Sequence, residues 1–194
     1  FFLKELDFIN FIRRFKGEKQ LIVCSPNYLH TKHILLGIKN GCDVLCEKPP
    51  CLKEDDLEKI KKYEKKFGKK CFFVFQLRYD KNVLAIKKLY HSKTNINAKV
   101  DYITHRGEWY NKSWKGDLKK SGGLIYNIGI HLIDLLIFWF GKIKNIKIIK
   151  KNSRIIDSKI CFKNANVKIR ISTDKKYIPN NIKINGFQYR NIKI

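Results

Sequence analysis

Val44-Leu45-Cys46-Glu47-Lys48-Pro49-Pro50 is a short apolar run that stops at an acid, a base and two prolines. Proline lacks the backbone donor that a strand ladder needs and favours extended geometry in the residue before it, so the prolines end a strand and hold Lys48 at its carboxyl end. Open α/β sheets bind ligands at that edge. Taken alone, Lys48 is either a ligand-binding residue or one more solvated charge among 42 lysines and arginines.

Similar apolar runs lie at residues 20–24 and 71–75, and amphipathic segments at 2–15, 28–40 and 52–67 precede or separate the runs. Short continuous apolar runs are typical of strands buried on both faces of a parallel sheet. The alternation of strand and helix with short turns therefore predicts a doubly wound, Rossmann-like parallel sheet.

From about residue 80 the pattern changes to α+β with a mainly antiparallel sheet, and we place the domain boundary between residues 76 and 77. The predicted elements are a helix at 80–90, a strand at 98–106, a polar aromatic loop at 107–121, a helix at 124–140, strands at 143–149, 154–162 and 166–172, and a hairpin at 182–189 around Asn185-Gly186.

The composition excludes several classes of function. The formal charge is +25, but the lysines are scattered through all predicted elements together with many isoleucines and asparagines, which indicates a compositional bias and no nucleic-acid partner. Residues 124–140 are short for a bilayer span and contain three polar side chains, so we predict no membrane association. Six cysteines without paired spacing argue against disulfides and a metal site, and indicate a reducing, cytoplasmic location.

Polar residues follow each predicted parallel strand. They are Ser25, Pro26, Asn27 and His30 after the first strand, Glu47 and Lys48 after the second, and Gln76 and Arg78 after the third. Carboxyl ends of parallel strands share one edge of a sheet, so these residues predict a ligand crevice.

The helix at 124–140 carries Asn127, His131 and Asp134 at spacings of four and three residues, which places all three on one helical face. His131 is then either a core histidine bonded by Asp134 or by the backbone, or a group near neutral pKa that takes a proton from a substrate hydroxyl.

Three stretches in this order resemble the Gfo/Idh/MocA family of NAD(P)-dependent sugar oxidoreductases: Cys24-Ser25-Pro26-Asn27-Tyr28-Leu29-His30, Val44-Leu45-Cys46-Glu47-Lys48-Pro49, and 122–134 with Gly122-Gly123. The loop at 106–117, together with Asn127-Ile128-Gly129-Ile130-His131, looks most like the branch that oxidises UDP-N-acetylglucosaminuronic acid at its 3-hydroxyl. The resemblance covers most of the chain.

This resemblance implies hydride transfer from a sugar carbon to NAD or NADP, a nucleotide-sugar substrate and a homo-oligomer. It implies catalytic roles for Lys48 and His131. Cofactor-binding residues would be Ser25, Pro26, Asn27, His30, Glu47, Lys48 and Gln76. Substrate-binding residues would be Arg78, Trp109, Tyr110, Lys115, Asn127 and His131. Residues 1–76 would form part of a dinucleotide-binding domain, and residues 77–194 a substrate and oligomerisation domain.

Two departures from the family pattern matter. Asn127 stands where most of the family has aspartate, and no G-x-G-x-x-G occurs anywhere in the sequence. Because the chain also lacks methionine and begins at Phe1, we expect an N-terminally truncated fragment whose second domain is incomplete at its C-terminus. An inactive binding or oligomerisation module, or an oxidoreductase of the same family acting on another sugar or inositol, are the alternatives.

Overall fold

The computed structural model describes residues 4–179 and 188–194. The chain divides into two compact units, Phe1–Val74 and Phe75–Ile194.

The first unit is a three-stranded parallel sheet with helices. Its elements are α1 (Glu5–Arg14), β1 (Lys19–Val23), α2 (His30–Lys39), β2 (Cys42–Cys46), α3 (Glu54–Phe67) and β3 (Cys71–Phe73). The sheet order is β1-β2-β3, and both pairings are parallel. The predicted Rossmann-like fold class is therefore confirmed.

The charges and the terminal glycine of α3 explain its bounds. Glu54, Asp55 and Asp56 occupy its first turn and basic residues its last, which matches the helix dipole at both ends. Gly68 ends the helix at a φ of 62°, a left-handed conformation that glycine adopts without a steric penalty.

The prediction that the parallel strands are buried on both faces is wrong. The core of this unit lies on the side of α2 and α3, where Val23, Val44 and Cys46 are buried against them. The opposite face presents Ile22, Leu45 and Phe72, which neighbour one another across the sheet and are 67%, 40% and 59% exposed. An apolar run alone does not tell which side of a sheet is covered.

The second unit combines short helices with a five-stranded sheet. Its elements are a 3₁₀ turn (Gln76–Tyr79), α4 (Lys81–Tyr90), β4 (Ile96–Thr104), α5 (Glu108–Lys112), α6 (Leu118–Ser121), a π-helical turn (Ile125–Gly129), α7 (Ile130–Phe140), β5 (Ile143–Lys151), β6 (Ile155–Phe162), β7 (Ala165–Ser172), a 3₁₀ turn (Lys175–Tyr177) and β8 (Gln188–Lys193). The sheet order is β5-β6-β7-β4-β8, with β4 and β7 parallel and the remaining pairs antiparallel. This confirms the α+β prediction.

The core of the second unit forms between α7 and one face of this sheet. The buried side chains Leu132, Leu136 and Phe140 pack with Val167 and Ile169 of β7. The stretch Leu118–Phe140 is long and apolar enough to cross a bilayer by length and composition. In this structure it supplies the central helix of a protein core, and Gly122 and Gly123 interrupt it with positive φ angles.

Three local predictions differ from the structure or lie outside it. The run at 71–75 is a strand only to Phe73, and Gln76 belongs to a 3₁₀ turn. The predicted helix at 124–140 starts as a π-helical turn. The predicted Asn185-Gly186 hairpin lies in residues 180–187, outside the described residues, and β8 begins directly after them.

Candidate functional site

The carboxyl edge of the parallel sheet gathers the residues predicted after β1 and β2. Ser25, Pro26 and Asn27 form the turn between β1 and α2, and Asn27 is buried. Glu47 continues from β2, and its amide donates to the Val23 carbonyl at 2.9 Å. This bond carries the sheet pairing one residue beyond the strand, to the residue before Lys48.

His30 connects the two loops. Its Nδ1 lies 2.7 Å from the Pro49 carbonyl oxygen and its Nε2 lies 2.7 Å from the Ser25 carbonyl oxygen, and the side chain is buried. Carbonyl oxygens only accept hydrogen bonds, so a neutral ring can donate to one of them and an imidazolium to both. His30 therefore holds the turn after β1 against the Lys48 loop.

His33 supports the same turn from one helical turn further along α2. Its Nδ1 lies 2.9 Å from the Ser25 hydroxyl. Burial, with a smaller contribution from the charge of Lys32, lowers the pKa of His33 below its usual value. The uncharged ring is thus favoured beside Ser25.

Lys48 is partly buried at the end of β2, and Pro49, joined to it by a cis peptide bond, is buried. Two thiols lie in the strands beneath this edge. Burial raises the pKa of Cys71 to about 12, and it also raises the pKa of Cys46. Neither thiol is a thiolate at neutral pH, so the structure offers no cysteine nucleophile at these two positions.

Gln76 and Arg78 lie in the second unit. The Arg78 guanidinium forms a fork with Asp134, with Nε 2.8 Å from Oδ2 and Nη2 2.5 Å from Oδ1, and it lies over the rings of Phe75 and Phe138. The bond to Asp134 raises the pKa of Arg78. Asp134 is therefore paired with Arg78.

The predicted substrate residues of the loop at 107–121 form one cluster of aromatic and cationic side chains. The Trp109 and Tyr110 rings meet edge to face at 5.9 Å, and Lys115 Nζ lies 5.6 Å from the Trp109 ring. Arg106 lies over the Tyr110 ring at 5.8 Å, and Lys115 also lies near Trp114. Aromatic side chains can pack against a planar base, and cationic side chains can bind phosphates. This cluster therefore suits a ligand that contains both a base and phosphates.

Asn127 joins this cluster to the helix that carries His131. Its Nδ2 donates to the Tyr110 hydroxyl at 2.9 Å. Asn127 lies in the π-helical turn and His131 is the second residue of α7, half-buried. The α-helical spacing assumed from the sequence does not hold between them, because a π turn holds more residues than an α turn; such turns are frequent at functional sites.

Three residues that contact predicted site residues of their own unit were not themselves predicted. His33 follows His30 by three residues on α2. Residues at this spacing are neighbours on a helix, so the sequence could have indicated that His33 lies beside His30. Arg106 directly precedes the predicted loop at 107–121 and Trp114 lies within it, and only the fold shows their contacts. Metal-binding groups of three or more His, Cys, Asp or Glu side chains do not occur among residues 4–179 and 188–194.

Comparison with known families matches both units. The family profile described as "Oxidoreductase family, NAD-binding Rossmann fold" matches residues 18–75, and the one described as "Oxidoreductase family, C-terminal alpha/beta domain" matches residues 94–149. Together they cover more than half of the sequence, and the chain belongs to the Gfo/Idh/MocA oxidoreductase family.

Individual relatives narrow the comparison. The chain is similar over its whole length to the WlbA (WbpB) dehydrogenase from Thermus thermophilus, solved in complex with NAD and UDP-GlcNAcA, with 32% identity, a TM-score of 0.93 and 65% of that chain covered. D-glucoside 3-dehydrogenase of Escherichia coli (strain K12) is 30% identical over 61% of this chain and 35% of its own length. The scyllo-inositol 2-dehydrogenase (NADP(+)) IolW of Bacillus subtilis (strain 168) is 29% identical over 71% of this chain and 40% of its own. The matched stretch thus spans well under half of these curated relatives.

Proposed function

We propose that the protein is an NAD-dependent nucleotide-sugar dehydrogenase that oxidises the 3-hydroxyl of UDP-N-acetylglucosaminuronic acid. The observation that carries the proposal is the bond from Asn127 to the Tyr110 hydroxyl. This hydrogen bond connects the cluster of aromatic and cationic side chains, which suits a nucleotide, to the helix that carries His131. The likeness to a dehydrogenase solved with NAD and UDP-GlcNAcA supports the same substrate.

NAD, when bound, accepts the hydride from the sugar carbon. The edge of the parallel sheet fits part of such a cofactor, because buried Asn27 and the loops joined by His30 present backbone and side-chain polar groups there. Ser25, Pro26, Asn27, His30, Glu47 and Lys48 would hold it, with Gln76 contributing from the second unit. The glycine-rich loop that cradles a pyrophosphate is not in this sequence, so these residues would position the reactive end.

The hydroxyl proton must leave as the carbonyl forms. Lys48 and His131 are the two groups proposed to take it, and the amide of Asn127 has no ionisable group that could replace them. Arg78, Trp109, Tyr110 and Lys115 would bind the nucleotide sugar. Arg78 already donates two hydrogen bonds to Asp134. We therefore propose that it acts on the ligand through its positive charge and its remaining N–H donors.

A different sugar is the second candidate within the same reaction class. D-glucoside 3-dehydrogenase and scyllo-inositol 2-dehydrogenase are similar to the chain at comparable identity. The substrates in their names lack a uridine diphosphate, so a ligand of that kind would make fewer contacts with the Trp109–Tyr110 cluster. We also propose that the protein acts as a homo-oligomer in the cytoplasm.

Substrate-dependent NADH formation tests this function directly. The protein expressed from its complete reading frame should reduce NAD when UDP-N-acetylglucosaminuronic acid is added, and less well with UDP-free sugars or scyllo-inositol. Lys48→Ala and His131→Ala should each lower kcat by about 10²–10⁴-fold, because each removes a group that handles the proton. NAD affinity should change far less.

Matched controls are Lys88→Ala and His91→Ala, since both side chains are exposed and lie away from the described site residues in the sequence. These two variants should keep the parent's kcat. An unchanged kcat in Lys48→Ala or in His131→Ala would remove that residue from the mechanism. No reduction of NAD with any of the sugars would leave the inactive binding module as the better reading.

A further inference from the structure

Two histidines of α2 hold Ser25 by different atoms. His30 Nε2 lies 2.7 Å from the Ser25 carbonyl oxygen, and His33 Nδ1 lies 2.9 Å from the Ser25 hydroxyl oxygen. Residues at this spacing are neighbours on a helix. The backbone and the side chain of Ser25 are therefore both fixed from one helix, at the edge of the sheet where the cofactor is proposed to bind.

The hydrogen bond between Ser25 and His33 has a direction that its surroundings select. A serine hydroxyl has one proton to donate and lone pairs that accept, whereas a neutral imidazole has one ring nitrogen that donates and one that accepts. Among residues 4–179 and 188–194, the one acceptor within hydrogen-bond distance of the Ser25 hydroxyl is His33 Nδ1. A bond in which Nδ1 donates would leave the serine proton without an acceptor in this part of the chain. We therefore take Ser25 as the donor and Nδ1 as the acceptor.

The groups around His33 favour the neutral ring that this direction requires. Burial of the ring lowers its pKa, and the charge of Lys32 and the neighbouring His30 lower the pKa further. Glu5 of α1 raises the pKa of His33, but its carboxylate is paired with Lys32. The ring is therefore uncharged at neutral pH, as an accepting Nδ1 requires.

The direction of this bond determines which ligand groups Ser25 can contact. Because its proton is donated to His33, its remaining lone pairs only accept. Hydroxyl and amide N–H groups are donors that match such an oxygen. Pyrophosphate oxygens only accept, so they would face the Ser25 oxygen without a proton between them. In a dinucleotide the ribose hydroxyls and the nicotinamide amide are the matching groups.

We propose that His33 is a positioning residue for the dinucleotide, which acts by making the Ser25 hydroxyl an acceptor for a hydroxyl or amide donor of the cofactor. This inference rests on the proposed dehydrogenase function. Protonation of His33 would reverse the bond, because an imidazolium only donates, and Ser25 would then present its own proton. NAD affinity should therefore fall as the pH drops through the pKa of His33, which lies below its usual value.

¹⁵N NMR spectroscopy of the histidine rings tests the direction of the bond without the cofactor. At mildly alkaline pH, the Nδ1 signal of His33 should have the chemical shift of an unprotonated ring nitrogen, and the Nε2 signal that of a protonated one. A protonated Nδ1 under these conditions would overturn the proposal, whatever reaction the protein catalyses.

NAD binding, measured by calorimetry on the protein expressed from its complete reading frame, tests the positioning role. At mildly alkaline pH, His33→Leu and Ser25→Ala should each weaken binding by about 3–10-fold, the equivalent of one lost hydrogen bond. The double variant should bind no more weakly than either single variant, because the two residues act through one bond. His33→Asn keeps a non-titrating amide oxygen in place of Nδ1. It should bind within about twofold of the parent and lose the decrease at acidic pH, which separates lost positioning from lost folding.

The matched control is His91→Leu, which makes the same replacement at an exposed position at the end of α4. It should bind NAD as the parent does at every pH. Binding by His33→Leu equal to that of the parent would overturn the proposal and leave the dehydrogenase function in place. Absence of NAD binding by the parent itself would overturn both.

Discussion

His30 is held from both sides at the edge of the parallel sheet. It is buried, and both ring nitrogens lie 2.7 Å from backbone carbonyl oxygens of two separate loops. One of those loops follows β1 and the other carries Lys48. The proposed cofactor role of His30 is therefore joined to a structural role, because the ring sets the distance between the loops that would bind the cofactor.

Replacement of His30 measures that structural role. His30→Ala should lower the free energy of unfolding of the first unit by about 1–3 kcal/mol, because the ring no longer donates a hydrogen bond between the Ser25 and Pro49 carbonyls. His30→Gln, which can still donate to one carbonyl, should fall between His30→Ala and the parent. Urea unfolding followed by circular dichroism gives these values, and the exposed His91→Ala should change stability by less than about 0.5 kcal/mol. Equal stabilities of His30→Ala and His91→Ala would contradict the bridging role.

At the level of single residues, the sequence identified which side chains deserved attention but not what they bond. Arg78 and Asp134 are 56 residues apart, and their fork depends on the 3₁₀ turn that follows β3. The bond between Asn127 and Tyr110 depends equally on the loop geometry. Partner choice is a property of the folded chain, because hydrogen bonds select among groups that the fold brings within about 3 Å of each other.

Among the secondary-structure elements, α2 is the most closely packed against the parallel sheet. A Cβ added at Gly37 would lie 2.7 Å from Leu21 Cδ2 and 2.9 Å from Val44 Cγ2. Val44 is buried in the sheet, so it cannot move aside. The missing side chain at Gly37 thus allows the helix to approach both strands.

Gly37→Ala should therefore destabilise the first unit by about 1–3 kcal/mol, although alanine favours helix formation. Thermal unfolding of this variant should show a lower melting temperature than the parent. Lys39 is exposed in the last turn of the same helix, so Lys39→Ala is the control for helix propensity alone. Its melting temperature should lie within a few degrees of the parent's. A rise in melting temperature for Gly37→Ala would show that α2 has room to shift.

Periodicity and turn residues were sufficient to predict the type and order of most elements. The helices that end at Gly68 and Gly141 and the strands β5, β6 and β7 all lie close to their predicted bounds. The π-helical turn was not predictable, since it alters the backbone hydrogen bonds without leaving a distinct hydrophobic period. The exposed row of Ile22, Leu45 and Phe72 was missed because apolar content does not reveal which face a helix covers.

On the scale of the whole molecule, part of the net charge of +25 is aligned across the five-stranded sheet, which the linear sequence does not show. The lysines of β4, β5, β6, β7 and β8 are up to 94 residues apart, yet strand register aligns five of them. The interpretation of the lysines as an unclustered compositional bias therefore fails for one face of this sheet. Register could not be read in advance, because a shift of one residue would turn each lysine to the opposite face.

The most direct test of the central claim follows the hydrogen on C3 of the sugar. UDP-N-acetylglucosaminuronic acid labelled with deuterium at C3 is mixed with NAD and the protein, and the reduced nicotinamide is analysed by mass spectrometry. A dehydrogenase acting at C3 transfers the deuteride, so one deuterium should appear in the reduced cofactor as the 3-keto sugar forms. Reduced cofactor without deuterium, or no reduction at all, would contradict the proposed activity.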